Sequence, residues 1–112
     1  MIGQARVPAD VAAARLRADL VCAFHVLDLD GQGSGIGGHV TARVPGTESF
    51  LCHGFGLAFD EVGIDDLVHA SFALERLAGR GKVNPTLTFH TAIYRARPDV
   101  GCVYRFESRH TR

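Results

Sequence analysis

Histidine is the residue type in this chain with the widest chemical repertoire, because imidazole can ligate a metal, transfer a proton or bond a substrate. The six histidines lie at positions 25, 39, 53, 69, 90 and 110. No two of them have the i, i+2 or i, i+4 spacing that presents two ring nitrogens to one metal ion. Each is therefore expected to be a packed or solvated side chain rather than a ligand.

Three of these histidines have more informative positions. His39 and His53 border glycine-rich bends at the ends of extended segments, where binding sites are commonly built. His90 lies on a predicted helix and is expected to face the sheet. The sequence has no Ser/His/Asp order and no elbow around a nucleophile. Residue chemistry alone therefore indicates a soluble α/β domain without a defined reaction.

The glycine-rich segment before His39 has the spacing of a dinucleotide-binding loop, Gly33-x-Gly35-x-x-Gly38. Such a loop binds pyrophosphate only when a strand enters it and a helix leaves it, because the helix N-terminus must face the phosphates. Here the pattern predicts a helix before the glycines and a strand after them. A nucleotide site is therefore not expected.

The same segment begins with Asp28-x-Asp30, an arrangement found at the start of calcium-binding loops. Counted from Asp28, the fifth position is Gln32 and the twelfth is His39. A calcium loop requires a bidentate glutamate at its twelfth position. Because that carboxylate is missing, the sequence predicts no calcium site here.

The three cysteines, Cys22, Cys52 and Cys102, are isolated among apolar residues and have no Cys-x-x-Cys spacing. Three cysteines cannot all pair within one chain. We expect reduced, buried thiols that behave as small apolar side chains. A catalytic thiolate would need a cationic, partly open setting, which none of these segments indicates.

Composition excludes several classes of protein. The 112 residues are 46% apolar, which suits one modest domain with a core. Twelve basic and twelve acidic residues give a net charge of zero, so no overall field attracts nucleic acid or anionic lipid. The longest apolar run, at 20–24, is far shorter than the ~20 residues of a membrane span, and no signal-peptide core is present at the start. The sequence predicts a cytoplasmic protein with neither a nucleic-acid nor a membrane partner.

The sequence predicts two helices, and the second carries His90. The first covers residues 8–27, where apolar side chains recur on one stripe. The second has Asn84 as its N-cap and Pro85 at its first helical position. It ends at Arg97, because the residue before a proline avoids the helical region. Its predicted apolar side consists of Leu87, Phe89, His90, Ile93 and Tyr94.

Extended segments between and after the helices predict a sheet. Runs at 39–44 and 49–53 flank Pro45-Gly46 and predict a β-hairpin. The charged segment 74–82 predicts a surface connection. The order helix, strands, helix, strand indicates an α/β architecture with helices covering a sheet, and too few apolar segments remain to complete a second layer. Further strands are predicted at 67–72 and 101–104.

Two longer motifs resemble those of a known family. Residues 38–46, GHVTARVPG, resemble the GH-[IV]-[ST]-x-R-x-P-G signature of class II aldolases and adducins. Residues 84–100 contain the family's H-x-x-[IV]-Y-x-x-R-P-D-V core, and residues 50–62 resemble the strand and turn that lie between the two motifs. The likeness runs in the correct order from about Val11 to Val103. The chain thus resembles the class II aldolase/adducin family.

This resemblance implies a three-layer α/β/α sandwich around a mainly antiparallel sheet, incomplete here, with residues 1–112 as a single partial domain. Family members usually assemble as homo-oligomers, commonly cyclic tetramers. Their enzymes hold zinc or another divalent metal in a histidine cage, where it polarises a carbonyl during aldol cleavage or epimerisation, and some relatives decarboxylate. Intact relatives act on small carbohydrate or hydroxy-acid substrates, whereas the adducins keep the fold for cytoskeletal binding without catalysis.

The family's catalytic residues are not matched in this chain. The family presents two metal ligands as His-x-His directly after the last strand, where this chain has Arg105-Phe106-Glu107. A guanidinium cannot ligate a metal, and one carboxylate makes no cage. The third family histidine would lie beyond Arg112, and the acid/base glutamate corresponds to Thr86, whose hydroxyl does not titrate near neutral pH. We therefore expect no catalytic residue, no metal ligand and no cofactor in this chain.

Three residues are candidate substrate-binding positions: His39, His53 and Asn84. In the family, the serines that bind phosphate correspond to Asn84 and Pro85, and a loop asparagine corresponds to His39. His53 borders the neighbouring bend. Asn84 at a helix N-terminus can still receive an anion, although the loss of both serines argues against a phosphorylated substrate.

The resemblance leaves three functions open. The first is a member truncated or frameshifted after Val103, with residues 105–112 as a divergent tail, descended from a metal-dependent lyase and inactive. The alternative is a non-catalytic, adducin-like protein-interaction domain. A third is a residual enzyme whose metal site is completed across a subunit interface. Missing strands would leave an open sheet edge, so self-association or poor solubility is expected.

Overall fold

The computed structural model of this chain describes residues 9–30 and 38–105. Two helices, five strands and three short 3₁₀ turns follow one another within these ranges. The helices and strands are α1 (Ala9–Leu29), β1 (His39–Arg43), β2 (Ser49–His53), β3 (Leu67–Ser71), β4 (Arg76–Ala78), α2 (Thr88–Ala96) and β5 (Cys102–Arg105). The 3₁₀ turns are Phe59–Glu61, Ile64–Asp66 and Pro85–Leu87.

All five strands form one antiparallel sheet in the order β4-β3-β2-β1-β5. The predicted hairpin is confirmed, because β1 and β2 pair with Ala42 opposite Leu51. Strand β5 returns after α2 to lie beside β1, with His39 opposite Arg105. The start of β1 is thereby placed next to the end of β5, which decides where the candidate site forms.

The core occupies both faces of this sheet. On one face, Leu20 and Phe24 of α1 pack with Val40 and Leu51. On the other face, Tyr94 of α2 packs with sheet residues that include Phe50 and Val68. Side chains alternate between faces along a strand, so the central strands β2 and β3 contribute to both clusters. The observed arrangement is three layers, helix on sheet on helix, as the family resemblance implies. The expectation that too few apolar segments remain to complete a second layer is wrong, because helices pack on both faces of the sheet.

Helix α1 confirms the predicted apolar stripe. Leu20 and Phe24 are buried, while Leu16 and Leu27 are half-buried against the same cluster. The Nε2 atom of His25 lies 2.8 Å from the Val62 carbonyl oxygen. This contact joins the helix to the loop after β2, which also contributes to the core of this face.

The predicted cap at Asn84 forms, but it caps a 3₁₀ turn, and the α-helix itself begins at Thr88, three residues later than predicted. The Oδ1 atom of Asn84 accepts a hydrogen bond of 3.0 Å from the Thr86 backbone N–H, and Pro85 opens a 3₁₀ turn that leads into the helix. Such a cap satisfies an N–H group that the first helical turn leaves unpaired. The α-helix ends at Ala96, one residue before the predicted end at Arg97.

The predicted apolar side of α2 is partly wrong. Leu87, His90 and Tyr94 are buried, but Phe89 is 62% exposed and Ile93 is 39% exposed. Residues three and four apart share one face of a helix, and the sheet contacts only the face that carries Leu87, His90 and Tyr94. Phe89 and Ile93 therefore lie on the side directed away from the sheet.

The segment predicted as a surface connection at 74–82 contains strand β4. It has three exposed residues and pairs irregularly with β3, between His69 and Ala70. A short, charged edge strand of this kind limits further pairing at that edge of the sheet. The prediction was right about exposure and wrong about the absence of a strand.

The cysteine prediction holds for only one residue of the three. Cys52 is buried in β2, whereas Cys22 and Cys102 are exposed. Cys22 lies two residues from both Leu20 and Phe24, so it projects from the opposite side of α1. Cys102 lies on β5, which is an edge strand of the described sheet.

We predict that two thiols per folded chain react with Ellman's reagent. Cys22 and Cys102 are exposed, and Cys102 is expected to react more slowly than Cys22 because partial burial raises the pKa of its thiol. Fuller burial raises the pKa of the Cys52 thiol to about 12. The thiolate is the reacting form, so Cys52 is expected to react only after unfolding in urea. Rapid reaction of three thiols in the native protein would contradict the described packing of β2.

Within residues 9–30 and 38–105, no helix is both long enough and apolar enough to cross a membrane. The predicted tail at 105–112 begins inside strand β5, since Arg105 is its last residue. Residues 106–112 lie outside the described residues, so the divergent tail stays a prediction.

Candidate binding site at the end of the sheet

Three histidines that are far apart in sequence meet at one end of the sheet. The ring centroids of His39 and His53 are 6.5 Å apart, and those of His39 and His90 are 6.0 Å apart. His39 begins β1, His53 ends β2 and His90 lies on α2. All three are buried, so the cluster is part of the protein interior rather than an exposed patch.

His53 lies in an aromatic environment on the α1 side of the sheet. The centroid of its ring is 4.8 Å from the centroid of the Phe24 ring and 6.0 Å from that of the Phe59 ring, and both contacts are edge-to-face. Desolvation by burial, with a smaller contribution from nearby His39, lowers the pKa of His53 to about 4. At neutral pH, His53 is therefore an uncharged ring that packs like an aromatic side chain.

His39 is connected to the cap of α2. Its Nε2 atom lies 3.4 Å from the Thr86 hydroxyl oxygen, and that hydroxyl donates a 2.9 Å hydrogen bond to Oδ1 of Asn84. Two of the three predicted substrate-binding residues, His39 and Asn84, are thereby linked through Thr86. Burial, with the charge of Arg105, lowers the pKa of His39.

His90 is held by a buried chain of hydroxyl groups. Its Nδ1 atom is 2.8 Å from the Thr41 hydroxyl oxygen, which is 2.7 Å from the Tyr94 hydroxyl oxygen. Burial lowers the pKa of His90 to about 4, and the charges of His39 and Arg105 act in the same direction. The contacts with Thr41 fix the ring, and its burial in a low-dielectric surrounding keeps it neutral.

Arg105 brings a permanent positive charge to the edge of the cluster. It is the direct cross-strand partner of His39, and its guanidinium lies 6.0 Å from the centroid of the Phe89 ring. The side chain is exposed. Because this cation disfavours protonation of both His39 and His90, the cluster is an uncharged imidazole site bordered by one fixed cation.

Arg43 ties the site's elements together, a role that the sequence reasoning missed. Its guanidinium donates hydrogen bonds to three backbone carbonyls after and within α2, those of Tyr94, Arg97 and Val100, at 2.7, 3.1 and 2.9 Å. The same group lies 4.8 Å from the centroid of the Tyr94 ring. The arginine of the GHVTARVPG motif thus joins β1 to the C-terminal end of α2.

Contacts in the structure explain two further residues of the GHVTARVPG motif, Gly38 and Thr41. A Cβ atom at Gly38 would lie 2.7 Å from the Phe59 ring, so only glycine fits beside it. Thr41, two residues after His39, contacts both His90 and Tyr94. The conspicuous spacing of Gly38, Thr41 and Arg43 in one nine-residue motif was the available signal that β1 organises this site.

The described donors do not fit the metal that the family resemblance implies. Nowhere in residues 9–30 and 38–105 do three or more His, Cys, Asp or Glu side chains form a group that could hold a metal ion. Arg105 stands at the place of the first family ligand, and it offers donors but no lone pair. Glu107, at the place of the second, lies outside the described residues. We therefore derive no metal chemistry from this site.

A separate groove of about 490 Å³ lies on the α1 side, away from the histidine cluster. Leu16, Arg17, Leu51 and His69 are among its lining residues. The Nε2 atom of His69 contacts the Ser49 hydroxyl at 2.7 Å, which anchors the ring to the sheet. The groove shares no residue with the predicted binding site.

Comparison with known proteins shows the family to which this chain belongs. A family model described as "Class II Aldolase and Adducin N-terminal domain" matches residues 18–111. This chain belongs to the class II aldolase/adducin family. A Pseudomonas aeruginosa protein assigned to aldolase class 2 is 38% identical over 103 residues, which cover 88% of this chain and 40% of that protein. Alpha-adducin of Rattus norvegicus is 36% identical over 94 residues, covering 79% of this chain and 13% of adducin.

Solved structures of this family have the same fold. An aldolase II superfamily protein from Pseudomonas syringae superposes with a TM-score of 0.80 at 31% identity, covering 85% of this chain and 39% of that one. L-fuculose 1-phosphate aldolase from Glaciozyma antarctica PI12 gives a TM-score of 0.84 at 27% identity, covering 96% of this chain and 45% of that one. The chain spans less than half of the length of these relatives.

Proposed function

We propose that this chain descends from a metal-dependent lyase of the class II aldolase/adducin family and has lost lyase activity. The observation that carries the proposal is Arg105. The family resemblance puts a metal-binding histidine at this place, and here the residue is a fixed cation opposite His39 in the sheet. A metal ion would have to bind beside a positive charge that cannot be removed by deprotonation.

The acid/base position supports the same proposal. Thr86 stands where the resemblance puts a titratable glutamate, and its hydroxyl already donates to Asn84. A hydroxyl does not exchange a proton readily near neutral pH. Substrate binding at His39, His53 and Asn84 is retained as part of the proposal, with a small carbohydrate or hydroxy acid as ligand and a homo-oligomer as the assembly.

Metal content of the purified chain tests this proposal directly. We expect elemental analysis to find no more than trace zinc in a sample that circular dichroism shows to be folded. We also expect no cleavage of L-fuculose 1-phosphate when zinc is added. One tightly held zinc per folded chain, or zinc-dependent cleavage abolished by a chelator, would overturn the proposal and favour the residual-enzyme alternative.

A second candidate function is adducin-like protein interaction. The specific observation that favours it is an exposed apolar surface on α2, formed by Phe89 and Ile93, which are 62 and 39% exposed. It lies beside the edge strand β5, because the Arg105 guanidinium is 6.0 Å from the centroid of the Phe89 ring. Apolar side chains grouped beside an open sheet edge are common at sites of protein association.

We predict that Ile93→Lys reduces self-association of the chain. A charge placed in this apolar surface would have to be buried in any contact formed there, which costs free energy. Light scattering at several protein concentrations measures the effect. The matched control is Leu77→Lys, since Leu77 is also exposed, at 53%, but lies on the opposite edge strand β4. A native chain that is monomeric at all concentrations, or equal effects of the two variants, would contradict this prediction.

A further inference from the structure

Two ring nitrogens in the histidine cluster are buried without a hydrogen-bond partner. They are Nδ1 of His39 and Nε2 of His90, and the structure gives neither a partner among the described residues. The two side chains are only 6% and 1% exposed. Buried polar atoms are nearly always satisfied in folded proteins, so these two indicate a group that binds between them.

The proton on His39 is placed by its neighbours. The Thr86 hydroxyl donates its single proton to Oδ1 of Asn84. Its oxygen can therefore only accept from Nε2 of His39, at 3.4 Å. A neutral imidazole carries one proton, so His39 has its N–H at Nε2 and a lone pair at the unpartnered Nδ1.

The proton on His90 is placed by the chain of hydroxyl groups. If the Tyr94 hydroxyl donates to Thr41 and Thr41 donates to Nδ1 of His90, each hydroxyl proton has an acceptor. The reverse direction would leave the buried Tyr94 hydroxyl proton without one, which is unfavourable. His90 therefore accepts at Nδ1 and carries its N–H at the unpartnered Nε2.

The two free atoms are thus complementary: one accepts and the other donates. We propose that Nδ1 of His39 and Nε2 of His90 together bind one hydroxyl oxygen, which donates to His39 and accepts from His90. A centroid separation of 6.0 Å allows one oxygen to reach a nitrogen of each ring at about 2.8–3.0 Å. The inference rests on the proposed loss of the metal-dependent activity. A metal ion would need a lone pair on both nitrogens, whereas here Nε2 of His90 carries a proton.

The hydroxyl comes either from a bound water or from a small ligand. Arg105 lies at the exposed border of the cluster, opposite His39, and a guanidinium there suits a carboxylate. A hydroxycarboxylate would combine both groups, so glycolate is the probe. Acetate is the matched control, because it has the carboxylate without the hydroxyl.

Nitrogen-15 NMR of the full chain at pH 7 tests this inference, because histidine nitrogen shifts and their long-range proton couplings report the tautomer. Both His39 and His90 are expected as the Nε2–H tautomer, assigned with His39→Gln and His90→Gln. Thr41→Val should convert His90 to a mixture of tautomers, since the donor to Nδ1 is lost. Thr91→Val is the control, because the buried Thr91 hydroxyl bonds the Thr88 carbonyl instead.

The outcomes separate the two sources of the hydroxyl. Shifts of both nitrogens with glycolate and not with acetate identify a ligand hydroxyl. Cross-relaxation between the His90 ring N–H and water, without a glycolate response, identifies a bound water. The inference is overturned by an Nδ1–H tautomer at either ring, by shifts of both rings with one equivalent of zinc chloride, or by the absence of both responses. If the chain is free of zinc and inactive but either ring is the Nδ1–H tautomer, this inference is refuted while the proposed function stands.

Discussion

Replacement of Arg43 with alanine is expected to lower the free energy of unfolding by about 3 kcal/mol. The guanidinium donates to the carbonyls of Tyr94, Arg97 and Val100. Tyr94 lies in the last turn of α2, and Arg97 and Val100 lie just after the helix. Removing it leaves these acceptors to water or without a partner, and it also removes the cation from the faces of Phe72 and Tyr94, at 5.4 and 4.8 Å. Urea denaturation followed by circular dichroism measures the loss.

Arg43→Lys separates charge from geometry. Lysine keeps a cation beside the two rings but has a single ammonium instead of a planar fork of donors. It is expected to recover less than half of the lost stability, because one ammonium cannot reach three carbonyls that lie around a guanidinium. Full recovery would mean that charge alone matters, and the proposed bracing of β1 against α2 would then be wrong.

A control for this variant lies in the same region. Arg97 forms an ion pair with Asp99 at 2.8 Å, with both side chains mostly exposed. Exposed pairs contribute little to stability, so Arg97→Ala should leave the urea midpoint nearly unchanged. Equal effects of Arg97→Ala and Arg43→Ala would show that loss of any arginine near α2 is harmful.

Local features of this fold could be predicted from the sequence. The cap at Asn84 and the β1–β2 hairpin each depend on residues that are close to one another in the sequence. The burial of Leu20 and Phe24 also follows from helical periodicity. These elements are as predicted because their causes are contained in short segments of sequence.

Features that depend on distant pairing could not be predicted in this way. Strand β4 exists because residues 76–78 pair with β3, although the segment itself is charged and rich in glycine. The exposure of Cys102 follows from the position of β5 at the edge of the sheet. Neither property is encoded in the local pattern, which only reports that the residues around Cys102 are apolar.

The candidate site shows the same division. His39 and His53 were recognised from their places beside glycine-rich bends, and His90 was expected to face the sheet, which the structure confirms. Their convergence depends on β1 and β2 being neighbours and on α2 crossing the same end of the sheet. No spacing in the sequence expresses that convergence, because His90 lies 37 positions after His53.

Acidification is expected to destabilise this protein steeply between pH 6.5 and pH 4. His53 and His90 are buried with the pKa of each lowered to about 4, whereas an unfolded histidine has a pKa of about 6.5. Between these values the unfolded chain binds more protons than the folded chain, so stability falls as the pH falls. Above pH 6.5 both states are neutral at these positions, and this contribution is fully present.

The expected loss is about 2 kcal/mol for each of the two histidines at pH 5, relative to pH 7. The lowered pKa of His39 and of His69 adds to the effect in the same direction. Urea denaturation at half-unit intervals from pH 7.5 to pH 4.5 gives the free energy of unfolding and its slope with pH. A slope near zero throughout this range would contradict the described burial of the two rings.

His53→Phe tests the assignment at one position. The ring lies between Phe24 and Phe59, so an aromatic replacement can keep the packing while it removes the titration. The level of stability can change through altered packing, and the informative quantity is therefore the slope between pH 5 and pH 6. That slope is expected to fall by roughly one proton's contribution, about 1.4 kcal/mol per pH unit. An unchanged slope would mean that His53 already titrates normally in the folded protein and that another group causes the acid sensitivity.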